Sequence, residues 1–350
     1  MKRSNMVYPK EMGYFMPPEW YPHHGTWLTY PHNPLTFYEK IDSVRDVYAD
    51  IIYYISLSEY VYINVNDKEM EEDLIKRLRS KNVNLKNISI YHIPSNDAWC
   101  RDHGAIFVLN KNTNKLAATC WKFNSWGGKY PYDYDQKIPE LMADYLKVEK
   151  FKADIILEGG SIDTNGEGIL LTTEQCLLNS NRNSHLTKIE IEEYLKLYLG
   201  LEKILWLKDG IVGDDTDGHI DDIARFVNPD TIVTVIEEDT QDENYKILQE
   251  NLKLLKSFTN LNGKQFNIIT LPMPEPQFYK NDRLPASYAN FYITNNSVLV
   301  PLFRCKKDEI AINLLKKVFK DKNVIGIDCS DIIIGLGSIH CLTQQIPMFK

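Results

Sequence analysis

Ala105-Ile106-Phe107-Val108-Leu109, a turn rich in Asn and Lys, and Leu116-Ala117-Ala118-Thr119-Cys120 read as two short strands joined in a hairpin. An amphipathic helix is expected from about Lys137 to Leu146, then a strand at Ile155-Ile156-Leu157. The same order recurs downstream. A second hairpin turns at Asn165-Gly166, where both residues tolerate φ > 0, between Ser161-Ile162-Asp163 and Ile169-Leu170-Leu171, with a helix from about Lys188 to Leu199. A third turns at Asn228-Pro229-Asp230 and continues through Ile232-Val233-Thr234-Val235, a helix from about Glu243 to Phe258 and Ile268-Ile269-Thr270-Leu271. A fourth turns at Asn295-Asn296, with a helix from about Asp308 to Phe319 and strand Val324-Ile325-Gly326-Ile327. Ile247, Leu248, Leu252, Leu254, Leu255 and Phe258 recur at helical spacing, leaving one face to pack on strands.

The N-terminal stretch holds Thr26-Trp27-Leu28-Thr29-Tyr30, a long helix from about Phe37 to Leu57 and strand Val61-Tyr62-Ile63-Asn64-Val65, but no hairpin partner. The segment from Ile339 to Gln344 would supply it. A fifth unit is then assembled from both chain ends, which closes a ring and makes residues 1–350 one α/β domain. No Gly/Ser linker divides the chain.

A chain of 350 residues that is 43% hydrophobic can bury a large core. Its formal charge of -8 lacks the clustered Lys and Arg of a nucleic-acid footprint. No apolar run approaches the ~20 residues of a membrane span, and the first residues lack a signal-peptide core, so a cytoplasmic protein is expected. Six scattered cysteines suggest neither a disulfide framework nor a zinc site. Cys100, Cys120, Cys176, Cys305 and Cys329 read as packing residues.

Polar groups concentrate where the units open: Trp99-Cys100-Arg101-Asp102, Glu158-Gly159-Gly160, and Asp214 to Asp221. His219 and Asp221 lie two apart, so on a strand both would face one ligand. A guanidinium offers N–H donors in a fixed fork, and carboxylates are its natural receptors. With Cys341 as nucleophile and His219 as proton carrier, the set points to chemistry on a cationic guanidine. Nearby acids should raise the Cys341 pKa, so the bound cation would itself favour the thiolate.

Asn96-Asp97-Ala98-Trp99-Cys100-Arg101-Asp102, Leu157-Glu158-Gly159-Gly160-Ser161, Asp214 to Asp221, Met16-Pro17-Pro18-Glu19-Trp20 and Gly335-Leu336-Gly337-Ser338-Ile339-His340-Cys341 with Thr343-Gln344-Gln345 together resemble the agmatine deiminases. These belong to the bacterial-type peptidylarginine deiminase family of the guanidine-modifying superfamily. The resemblance implies a five-bladed pseudo-symmetric α/β propeller of ββαβ-type repeats. It implies that Cys341 is the covalent nucleophile, His219 the general acid/base, and Asp102 and Asp221 the guanidinium-binding carboxylates. Glu158 and Asp215 match further substrate-side acids, and Trp99 an aromatic wall. The implied reaction converts agmatine and water to N-carbamoylputrescine and ammonia through an amidino-thioether, a step of polyamine and putrescine biosynthesis. It implies no metal or organic cofactor, and a homo-oligomer (dimer or higher). Leu336 and Ser338 stand where the family commonly has glycine, which bears on local fit.

Blander readings accompany each motif. His23-His24 are neighbours that would point to opposite strand faces, which favours a structural role. His219-Ile220-Asp221-Asp222 has the composition of a metal cluster, and Asp214, Asp215 and Asp217 that of a solvated turn. A deiminase of arginine, free or in peptides, would need a cation for the carboxylate or a group for the main chain. Arg101, Arg182, Arg225, Arg283 and Arg304 are the candidates. A non-catalytic propeller would not need the cysteine, histidine and carboxylates together.

Overall fold

The computed structural model describes residues 7–350. Four repeats share one design, in which an antiparallel strand pair is followed by a helix that returns the chain to a parallel third strand. Ile106–Asn110 and Leu116–Lys122 pair antiparallel, helix Ile138–Leu146 crosses over, and Glu149–Ile156 pairs parallel. Asp163–Thr164, Ile169–Thr173 and Lys203–Leu207 repeat this around helix Lys188–Leu199. Ala224–Asn228, Thr231–Ile236 and Asn267–Pro272 do so around Asn244–Ser257, and Tyr292–Ile293, Ser297–Leu302 and Asn323–Asp328 around Lys307–Val318. The middle strands Ile169–Thr173 and Ser297–Leu302 are buried almost throughout, as expected where a sheet is covered on both faces.

The fifth unit uses both chain ends. His23–Thr29 pairs parallel with Tyr60–Val65, which pairs parallel with Ile88–His92, while Thr343–Pro347 adds antiparallel on the other side. The strand partner supplied by the terminus is therefore Thr343–Pro347. Ile339–Leu342 is instead a helical turn, which leaves the nucleophile candidate on a turn ahead of the strand. Helix Lys68–Ser80 and strand Ile88–His92 are further elements that the sequence reading lacked. The long N-terminal helix resolves into short turns at Pro34–Phe37 and Tyr38–Lys40, then Ile41–Ser56. A separate hairpin joins Gln277–Tyr279 to Asp282–Leu284.

Local chemistry sets these boundaries. Helix Lys188–Leu199 starts in a capping box between Thr187 and Glu190 and stops at Gly200, whose φ of 69° is left-handed. Its buried side chains Ile191, Leu195, Tyr198 and Leu199 form one stripe against the sheet. Helix Ile41–Ser56 buries Val44, Tyr48, Ile51, Ile52 and Ile55 in the same way.

Placing a charge at Ile346, which is fully buried beside Trp27 and Phe107, would put it in the joint between the two chain ends without a partner. The variant Ile346→Asp is expected to lower the thermal midpoint by at least ~5 °C. An unchanged midpoint would show that the terminal strand contributes little to the fold.

Candidate active site

Each unit opens on a short turn before its first strand, and these turns carry the polar groups. Cys100–His103 precedes Ile106–Asn110, Gly159–Ser161 precedes Asp163–Thr164, Ile220–Asp222 precedes Ala224–Asn228, and Ile339–Leu342 precedes Thr343–Pro347. In the remaining unit Asn290 stands just ahead of Tyr292–Ile293. His219 and Asp221 are thus on a tight 3-10 turn, not on the strand expected from their spacing. They still converge, because the fold brings them to Gly160. A Cβ there would lie 2.6 Å from His219 Nδ1, 2.7 Å from Asp102 Oδ1 and 3.2 Å from Asp221 Oδ2. Glycine is required at 160 because three polar groups occupy the space a side chain would take.

The Asp102 carboxylate accepts hydrogen bonds from the Gly160 N–H at 3.0 Å and Trp126 Nε1–H at 3.0 Å, and lies 3.6 Å from His219 Nδ1. Trp126 is held there by a run of left-handed residues: Ser125 and Trp126 have φ of 54° and 53°, and Gly127 and Gly128 of 101° and 79°. Non-glycine residues adopt this conformation at a cost, so the packing around Trp126 must impose it. The Cys341 thiol receives Asn290 Nδ2–H at 3.1 Å and sits 3.8 Å from Asp221 Oδ2. Asn290 also donates to Asp222 at 2.9 Å and accepts from the His340 N–H at 2.9 Å, which fixes the Cys341 turn.

A charged platform lies beneath these groups. His340 spans Asp221 Oδ2 at 2.6 Å and Glu19 Oε2 at 2.7 Å. Glu19 is paired with Arg225 at 2.8 Å and Arg101 at 3.3 Å, and accepts the Ile293 N–H. Burial would raise the Glu19 pKa, but Arg225 and His340 overcome it and hold the carboxylate ionised. Glu19 and His340 were quoted in the sequence motifs without a role. Arg225 and Asn290 carried no local signal, because their partners come from distant parts of the chain.

Electrostatics set the resting state. Burial, and less so Asp221 and Glu158, raise Asp102 to about 6 against the pull of His219. Burial lowers His219, yet Asp102 beside it brings the net shift well upward. Burial, then Asp221, Asp222 and Asp102, pushes the Cys341 thiol well above its usual range. These shifts favour a neutral Cys341 thiol and a protonated His219 beside the Asp102 carboxylate.

A cleft of about 410 Å³ opens above, with Cys341 and Asp102 in its lining alongside Trp99, Trp126, Tyr130 and Asp215. Asp215 is held by Tyr130 Oη–H at 2.7 Å and by Lys129. Glu158 is not in that lining. Its Oε1 accepts Arg182 Nε–H at 2.6 Å, and both side chains are fully buried. Glu158, Cys176 and His219 instead form the one group among the described residues with metal-ligand proximity. The His219-Ile220-Asp221-Asp222 run does not form such a cluster among them. Cys176, read as packing, thus adjoins the histidine. Cys305 is half-buried and bonded to Tyr288 Oη at 3.1 Å. His23 and His24 take structural partners, Glu59 and Tyr62.

Leu336 also lines the cleft, in a left-handed conformation with φ of 69°. Its neighbours must be glycine: a Cβ would lie 2.5 Å from Trp99 at position 337 and 2.7 Å from Phe37 at 335. The departure at 336 thus costs backbone strain, while the close approach to Trp99 is kept.

Two outcomes follow from this geometry. Gly160→Ala should lower turnover of a guanidine substrate by ~100-fold, because it displaces Asp102 and His219. Equal rates in both proteins would contradict the packing at Gly160. Asp135, whose carboxylate accepts the Asn96 N–H at 2.7 Å in the cleft lining, is raised by burial and then Asp97 to about 8. A carboxyl raised on folding gives stability that is complete below its unfolded pKa and is lost as pH rises through about 8. Asp135→Asn keeps the acceptor and removes the ionisation. Its thermal midpoint relative to the parent should rise from pH 5 to pH 9, and a constant difference would refute the shift.

Comparison with known proteins places this geometry. The model of the Porphyromonas-type peptidyl-arginine deiminase family matches residues 15–347. A Legionella pneumophila (strain Philadelphia 1) protein provisionally named an agmatine deiminase is 40% identical over 344 residues, covering 97% of this chain and 96% of its own. Agmatine deiminase of Enterococcus faecalis superposes with a TM-score of 0.92 at 31% identity over 99% of both chains. A substrate-bound C. jejuni agmatine deiminase with a cysteine-to-serine substitution gives 0.86 at 36% identity, covering 96% of this chain and 97% of its own. The mixed α/β fold is common to this chain and the two solved structures. With a family match over nearly its whole length, the chain belongs to the Porphyromonas-type peptidyl-arginine deiminase family.

Proposed function

We propose that this protein is an agmatine deiminase, a hydrolase converting agmatine and water to N-carbamoylputrescine and ammonia. The observation that carries this reading is the cleft lining: among the described residues Asp97, Asp102, Asp215 and Cys341 line it with Asp135, whose carboxyl burial keeps protonated at neutral pH, and no Lys or Arg does. Such a lining suits a substrate cationic at both ends and opposes one that bears a carboxylate. The arginines that a carboxylate would need are engaged elsewhere. Arg101 and Arg225 pair with Glu19, Arg182 with Glu158 and Asp217, Arg283 with Asp242, and Arg304 with Asp328. Lys129, which reaches Asp215, is shared with Asp217.

In this reading Asp102 and Asp221 hold the guanidinium, and Trp99 and Trp126 flank it. The added cation reverses the field that keeps Cys341 protonated, so the thiolate forms as substrate binds. Its sulfur attacks the guanidinium carbon. His219 delivers a proton to the departing nitrogen, which leaves as ammonia, and an amidino-thioether remains on Cys341. His219 then takes a proton from water, the hydroxide adds to the same carbon, and collapse releases N-carbamoylputrescine as the Cys341 sulfur departs and takes up the hydroxyl proton. Asp215, near the cleft mouth with Tyr130, receives the distal ammonium. Glu158, neutralised by Arg182 and facing His219, orients the histidine and does not touch substrate. The mechanism draws on no cofactor.

We infer further that the five repeated units form the blades of a closed α/β propeller acting as one catalytic domain. The pairing of Thr343–Pro347 with His23–Thr29 supports that closure. A homo-oligomer in the cytoplasm completes the proposal.

Ammonia release tests the substrate. The kcat/KM for agmatine should exceed that for free or peptidyl arginine by at least ~100-fold, because a carboxylate among these acids lacks a partner. Preference for either arginine substrate would overturn the assignment. The pH dependence of Cys341 alkylation should shift to lower pH in the presence of a non-reactive guanidine analogue. An unshifted profile would eliminate substrate-induced ionisation.

A further inference from the structure

Behind the cleft the catalytic histidine meets two groups, Glu158 and Cys176, that take no part in the proposed proton transfers. Donor atoms of Glu158, Cys176 and His219 lie within 4.8 Å of one another, and all three residues are buried. They come from two successive repeats: the turn before the first strand and the short helix Glu174–Leu177 of one, and the turn that opens the next. Buried polar atoms normally find hydrogen-bond partners. Here Glu158 Oε2 and both ring nitrogens of His219 have none, although Arg182 occupies Glu158 Oε1.

We propose that Glu158, Cys176 and His219 form a binding site for a thiophilic divalent cation of the zinc class, and that its occupation inhibits the enzyme. The donor set is one oxygen, one sulfur and one nitrogen, which suits a borderline cation over calcium or magnesium. Typical zinc–ligand bonds of about 2.0–2.3 Å require the three donors, which lie within 4.8 Å of one another, to draw in around the ion. Binding replaces protons rather than adding charge. Cys176 enters as thiolate and His219 as neutral imidazole, so two protons leave as one dication arrives. The balance with Arg182 is thereby unchanged, and Asp102 and Asp221 add to the attraction. Asp102, which lies 3.6 Å from His219 Nδ1, also lines the substrate cleft. A metal-bound His219 could no longer carry protons between the leaving nitrogen and water. That inhibitory consequence rests on the proposed role of His219; the binding does not.

The test uses the full-length protein and cadmium, whose thiolate complexes absorb in the ultraviolet. The parent and Cys341→Ser should both show this band at one equivalent of cadmium. Cys176→Ala and Cys176→Ser, checked for folding by circular dichroism, should bind at least ~10-fold more weakly. Loss of the band in Cys341→Ser with retention in both Cys176 variants would transfer the site to the nucleophile and overturn the proposal. Equal binding by all four proteins would also overturn it. Zinc should inhibit ammonia release in the parent and a chelator restore it, with at least ~10-fold less sensitivity in any active Cys176 variant. A protein that binds cadmium as expected but does not turn over agmatine would contradict the proposed reaction while leaving the metal site intact.

Discussion

Negative charge gathered in a dehydrated pocket is the constraint on which the rest of this structure depends. Asp102 and Asp221 are buried within a few ångströms of one another and of the Cys341 thiol, a placement that burial and mutual repulsion both oppose. The platform of Arg101, Arg225, Glu19 and His340 makes it tolerable, and it does so from below. Cations placed above the acids would fill the guanidinium site. Cations placed behind Glu19 and His340 leave the buried Asp221 ionised.

The same constraint explains why the site is spread over the whole chain. Like-charged and reactive groups such as Asp102, Asp221 and Cys341 cannot share one loop, because each needs its own packed wall. The repeated units meet that need by presenting one polar turn each. Asp102, Gly160, Asp221, Asn290 and Cys341 come from five different units. The close approach of their backbones is possible because Gly160, Gly335 and Gly337 leave no Cβ in the way. Packing inside each unit is ordinary, and the stability it provides allows the strained run at Ser125 and Trp126 to hold Trp126 against Asp102.

Much of this was legible in the sequence because it rests on local periodicity. The hairpin at Asn165-Gly166, the helix at Lys188–Leu199 and the need for a strand from the C-terminal end all follow from spacing and turn residues. Asp102 and His219 are legible from the polar motifs at the unit openings, and Cys341 from the motif that carries the family resemblance. Local reading failed where geometry is tight or partners are remote. His219 and Asp221 alternate like strand residues but lie on a 3-10 turn, since the chain must reverse before Ala224. Ile339–Leu342 is a turn for the same reason. Glu158 reads as a substrate-side acid from its motif, and its ion pair with Arg182, 24 residues away, is not legible there. Glu19 binds His340 across 321 residues, a pairing no local pattern announces.

The central claim is that the Cys341 sulfur bonds to the guanidinium carbon of agmatine as ammonia leaves. Rapid acid quenching during turnover, followed by mass analysis of the intact protein and of its peptides, measures that bond directly. The account predicts a gain equal to agmatine less ammonia, carried on the peptide containing Cys341 and absent from Cys341→Ser. Turnover with the gain on another residue, or persisting in Cys341→Ser, would contradict it.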